Sequence, residues 1–122
     1  MSRARFAQVM PVLPVLDVQA GVRYYTENLG FALRFQDTSD FPHYAVLERD
    51  SVTLHLQWHD PSEFEAGQMY RFVVDDVDSL FAEYSDKGVF HDQTALRDTD
   101  WGTREFAFFD RDHNGLVFMC NR

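Results

Sequence analysis

The chain has 122 residues, which is enough for one compact domain or for two very small units sharing a core. A hydrophobic content of 45% excludes a disordered chain, and a net charge of −9 excludes general nucleic-acid binding, which needs a basic face. One cysteine, Cys120, excludes an intrachain disulfide or a thiolate metal cluster.

The first residues, from Met1 to Ala7, are not followed by a signal-type apolar stretch, and no later run is long enough to span a bilayer. A cytoplasmic location with no membrane partner is therefore expected. Val12-Leu13-Pro14-Val15-Leu16 reads as a strand, and Asp17 after it is placed to cap a helix that stops at Gly30. Val18, Val22, Tyr25 and Leu29 fall on one face of that helix. Phe31 to Gln36 alternates apolar and polar residues, as a half-buried strand does. Phe31, Leu33 and Phe35 then share a face, so Phe35 fits core packing as well as ligand contact. Phe41 follows the polar run Asp37-Thr38-Ser39-Asp40, an unnatural setting for a core residue. Tyr44 to Asp50 and Val52 to Leu56 complete a strand–turn–strand unit. His55, between Leu54 and Leu56, points to the opposite face from both leucines. That position suits a pocket-lining histidine or an ordinary half-buried one. Trp58 is followed by the acidic loop His59 to Glu65, which carries Asp60.

The same order then repeats. Tyr70 to Val74 precedes a second helix capped by Asp76 and stopped at Gly88, with Asp17-Val18 matching Asp76-Val77 at an offset of 59. Phe106 to Asp112 matches Tyr44 to Asp50 at an offset of 62. Asn114-Gly115 is a pair that favours a tight hairpin turn before the last strand, Leu116 to Met119. Between these units Asp98-Thr99-Asp100-Trp101-Gly102 reads as a loop tryptophan at a flexible point beside carboxylates. Each half is too short to bury its own sheet face. One α+β domain over residues 1–122 is expected, built from two βαβββ modules (about 9–57 and 69–120) and paired with a second copy as a homodimer.

The duplicated order, the two Asp-Val helix starts, Leu29-Gly30-Phe31 and Asp110-Arg111-Asp112-His113-Asn114 resemble the vicinal-oxygen-chelate superfamily, which includes glyoxalase I and the bleomycin-resistance proteins. Val12 to Val22, Asp50 to Leu54 and above all Trp101-Gly102-Thr103-Arg104-Glu105-Phe106 are most similar to the bleomycin-resistance proteins. That resemblance implies a protein that sequesters a bleomycin-type glycopeptide in a groove between subunits and changes no covalent bond. It further implies Phe35, Trp101 and Phe41 as stacking positions, the loop before Phe41 differing in length from the family's. His55, Trp58, Asp60, Asp98 and Asp100 are added as ligand-binding candidates by location, the acids suiting a cationic tail. Metal-using relatives carry a His early in the first strand of each half and a ligand on the last. By the resemblance those positions here are Met10, Met69, His55 and Val117, which leaves one good ligand where about three are needed. No metal, no cofactor and no catalytic residue are therefore expected. The competing expectations are a metal-dependent lyase, isomerase or dioxygenase of the same fold, and a binder of another small amphipathic metabolite.

Overall fold

The computed structural model describes residues 2–65 and 67–122. Its elements run β1 (Val12–Val15), α1 (Val18–Asn28), β2 (Ala32–Gln36), β3 (Tyr44–Arg49), β4 (Val52–Trp58), β5 (Met69–Val73), α2 (Val77–Ser85), β6 (Arg97–Asp98), β7 (Thr103–Phe109) and β8 (Gly115–Asn121). The two halves build two four-stranded sheets, ordered β1-β4-β3-β2 and β5-β8-β7-β6. In each, the first strand pairs parallel to the last and the rest pair antiparallel. This is the expected pair of βαβββ modules in an α+β fold. No helix is long and apolar enough to cross a membrane among the described residues.

Local chemistry explains the helices. Asp17 accepts from the Ala20 N–H at 3.0 Å and Asp76 from the Ser79 N–H at 3.0 Å, satisfying donors that a helix start leaves free. Gly30 ends α1 at a φ of +79°, a conformation that L side chains rarely adopt. The second helix ends sooner than its glycine suggests. Ser85 is its last residue, and Gly88 closes the turn beyond it.

Both helices and one face of each sheet share a single core. Leu13, Val15, Leu47, Leu54 and Leu56 of the first sheet and Phe72, Phe106, Phe108, Leu116 and Phe118 of the second pack there with Tyr25 and Tyr84. Two polar staples tie the halves together. Arg49, at the end of β3, donates to Glu83 on α2 at 2.8 Å and to the Leu29 carbonyl at 2.8 Å. Asp110, after β7, accepts from the Tyr25 hydroxyl on α1 at 2.7 Å. It also receives the backbone N–H groups of Asp112 and Asn114, at 2.8 and 2.9 Å. Asp112 in turn receives the Leu16 N–H, and Asn114 donates to the Pro14 carbonyl.

The turn before β8 therefore differs from the expected Asn-Gly hairpin. Its positive φ belongs to His113, and the buried Asp110 carboxylate organises it from within. A Cβ at Gly115 would displace the exposed Met69 side chain and approach the Gln68 carbonyl to 3.2 Å.

Candidate functional site

The sheet faces turned away from the helices are open in a single chain, and cross-strand register shows what lies on them. On the first sheet Val12 pairs with His55, His55 with Val46, and Val46 with Phe35, giving one continuous row. A β-bulge at Arg34 produces its last member. Leu33 pairs with the core residue Leu47, and the extra residue then turns Phe35 to the opposite side. Phe35 is 55% exposed there. The shared Phe31-Leu33-Phe35 face read from the alternation is thus broken. His55 also lies on the open face, and its Nδ1 shares a short hydrogen bond with the Tyr44 hydroxyl.

On the second sheet the corresponding row is Arg71, Val117 and Ala107, with Val73, Met119, Glu105 and Arg97 beside it. Glu105 is almost fully buried; its Oε2 accepts from Arg71 at 2.8 Å and from the Thr103 hydroxyl at 2.9 Å. Thr103 bonds onward to the Thr99 hydroxyl at 2.8 Å, and Arg122 donates to the Thr99 carbonyl at 2.8 Å. These bonds brace the hairpin that presents Trp101, which is 67% exposed. The loop read as a flexible point is a cross-linked turn, with Gly102 at a φ of +91°.

The other candidates separate. Trp58 lies at the strand end, ahead of the acidic loop. It ends β4 opposite the core residue Val15, on the helix side of the sheet, with its ring stacked on His43 at 4.8 Å. It is not brought together with Phe35 and His55. Asp98 pairs with Arg104 at 3.1 Å and lies 3.9 Å from Arg122, and Arg104 reaches on to Asp78 of α2, so this charge is already matched and faces the helix side. Asp60 holds its own turn through Ser62, whose hydroxyl and N–H donate to it and lower its pKa. Asp100 remains exposed beside Trp101. Phe41 is exposed at a φ of +50°, a costly conformation for a bulky residue that precedes proline.

Strand register does not set the implied metal positions Met10 and Met69 directly across from His55 and Val117. Met10 precedes β1, and the residue across from His55 is Val12. Met69 lies opposite Gly115, and the residue across from Val117 is Arg71. Neither set offers more than one good ligand, and no group of three His, Cys, Asp or Glu side chains is arranged to hold an ion among the described residues.

Comparison with known proteins places this geometry. Residues 5–118 match the model of the Glyoxalase/Bleomycin resistance protein/Dioxygenase superfamily. The chain belongs to that superfamily. Within it, a bleomycin resistance protein of Geobacillus stearothermophilus is 30% identical over 129 aligned positions, covering 92% of this chain and 95% of the relative. A bleomycin resistance protein of Staphylococcus aureus matches equally. The bleomycin-binding protein of Streptomyces verticillus, solved with copper(II)-bleomycin, superposes with a TM-score of 0.82 at 26% identity, over 98% of this chain and 100% of that one. The superfamily's enzymes and binders share this scaffold, so the distinction rests on the residues of the open faces.

Sequence reasoning missed Tyr44, Arg71, Thr103 and Glu105. The signal for two of them was present. In Thr103-Arg104-Glu105-Phe106-Ala107-Phe108, period-two alternation puts Thr103, Glu105 and Ala107 opposite the core phenylalanines.

Proposed function

We propose that this superfamily member is a binding protein that sequesters a bleomycin-type glycopeptide in a groove between two copies of the chain, without catalysis. The observation that carries the reading is the bulge at Arg34, which turns Phe35 out of the core to an open face where its ring is free to stack. Trp101, on its braced hairpin, offers a second aromatic plane. Two exposed rings suit a flat heteroaromatic ligand, since each stacking contact contributes about 1–3 kcal/mol. The 30% identical bleomycin resistance proteins support the same ligand class.

The second copy is supported by the apolar surface left open. Val12, Phe35, Met69 and Val73 on the strands, and Phe6 and Val9 ahead of them, are all exposed in the single chain. A soluble protein covers such surface by association. Light scattering is expected to give the mass of a dimer at micromolar concentration.

Calorimetric titration with metal-free and copper-loaded bleomycin tests the ligand. Saturable binding of one or both forms is expected. Folded, dimeric protein that gives no saturable heat at micromolar concentration sinks the assignment and leaves a different amphipathic ligand as the better reading.

A further inference from the structure

We propose that Arg71 is a specificity-determining residue of the groove, which hydrogen-bonds an acceptor oxygen on the planar ligand held by Trp101. The inference rests on the reading that this open face lines the ligand groove. It adds a chemical requirement: the ligand carries a carbonyl or anionic oxygen near its aromatic plane.

The guanidinium has five N–H donors in a rigid fork. Arg71 spends Nη2 on the Glu105 carboxylate at 2.8 Å, with the Met119 sulfur at 3.2 Å from the same nitrogen. Its Nε and Nη1 make no hydrogen bond to a described residue. The Arg71 side chain is 48% exposed while that of Glu105 is 5% exposed, so the carboxylate lies underneath and the fork looks outward. Ala107 and Met119 flank the fork over the buried Val117, and the other charged group beside Glu105 is Arg97. A half-exposed ion pair adds little stability, but with one partner buried it fixes direction. Glu105 thus acts as a positioning residue for Arg71. Through Thr103 and Thr99 the same carboxylate is bonded to the hairpin bearing Trp101, so the donor and the stacking plane share one rigid support.

Charge points the same way. Arg97 lies 3.8 Å from Glu105, so two guanidinium groups face one carboxylate on this sheet, within a chain of net charge −9. Asp98, the acid that sequence order places beside them, is turned to the helix side and matched by Arg104. This face therefore favours the acceptor-rich part of a ligand and disfavours its cationic tail.

Two fluorescent probes of similar shape and different charge test this: the planar sulfonate 8-anilinonaphthalene-1-sulfonate and its neutral counterpart N-phenyl-1-naphthylamine. Wild-type protein is expected to bind both, and Trp101→Ala to weaken both. Arg71→Gln should weaken the sulfonate by about tenfold or more, the scale of a lost charge-assisted hydrogen bond, and leave the neutral probe within about twofold. Arg71→Lys keeps a cation over Glu105 without the fork and should fall between. If Arg71→Gln fails to fold by circular dichroism, the lysine variant decides alone, and wild-type sulfonate affinity in it overturns the inference. Equal loss of both probes, or no sulfonate binding by the wild type, overturns it too. Bleomycin calorimetry on the same wild-type sample separates the two readings. Sulfonate selectivity without bleomycin binding overturns the drug assignment alone; bleomycin binding with an unselective Arg71→Gln response overturns this inference alone.

Discussion

The two open faces share a strand order and have diverged in chemistry. In the N-terminal half the row Val12, His55, Val46 and Phe35 carries one polar side chain, and His55 is engaged by Tyr44. In the C-terminal half the equivalent strands carry Arg71, Glu105 and Arg97 beside Val117 and Met119. The core positions on the helix-facing sides are apolar in both halves because they meet in one core, with Arg104 and Asp98 only at the margin of the second sheet. Duplication thus kept the side that packing constrains and released the side that packing does not. The result is an asymmetric binding surface on a pseudo-symmetric scaffold.

The largest effect is expected where two carboxylates near the ends of β3 and β7 carry unequal weight. Strand register makes Arg49 the counterpart of Asp110, so Glu48 serves here as the near-surface carboxylate beside that position. Asp110 is buried with four donors on it, whereas Glu48 pairs only with Arg34, near the surface at 3.3 Å. Asp110→Ala should cost about 3 kcal/mol or more in urea unfolding, since it strands buried donors, and Glu48→Ala about 0.5 kcal/mol or less. Similar losses at both sites would erase the contrast.

For binding, Phe35→Ala and Trp101→Ala should each weaken bleomycin by about 1–3 kcal/mol without unfolding the protein, while Trp58→Ala should leave affinity unchanged. A large loss from Trp58→Ala would return that residue to the site.

The staples also predict an acid response. Hydrogen bonding to Arg49, opposed by desolvation, holds the Glu83 carboxyl below its ordinary range. A depressed carboxylate pKa stabilises the fold at neutral pH, and that contribution is lost as pH falls through the glutamate range, from roughly 5 to 3. Asp112, raised by burial, has the opposite sign and gains on acidification. Glu83→Gln should therefore flatten the acid side of a melting-temperature profile. An unchanged slope would remove the Arg49 staple from the stability argument.

The smallest effect concerns Asp98. Being matched by Arg104 and close to Arg122, it contributes little net field to the groove. Asp98→Asn should change bleomycin affinity by less than about twofold at 0.1 M salt. A clear salt-dependent loss would show that the acid reaches the ligand after all.

The parts that could be read from the sequence are those written in local patterns. Asp17 and Asp76 announced the helix starts, and the repeated order announced the duplication, although β3 and β7 align at an offset of 61 and not the 62 read from the sequence. The Phe35 face could not be read, because one bulged residue inverts every later side chain and leaves no periodic trace. The face of Trp58 could not be read because its strand runs past the apolar stretch into polar surroundings. Asp98 looked free because its partners, Arg104 and Arg122, are set by strand pairing and by the returning C-terminal strand. Asp110 looked like turn chemistry, since its buried partner Tyr25 lies 85 residues away.

That long-range bond bears on how such a chain can change over generations. Each half lends a turn residue to the other's helix: Arg49 reaches Glu83 on α2, and Asp110 receives Tyr25 on α1. A half on its own would keep the helix and lose the clamp, leaving a carboxylate or a tyrosine hydroxyl stranded in apolar surroundings. Once both exchanges existed, neither repeat could be deleted or traded for an unrelated copy without removing support from its neighbour. Reciprocal dependence works as a ratchet that keeps the fused pair together, and it leaves the two outer faces as the part of the molecule free to drift toward new ligands.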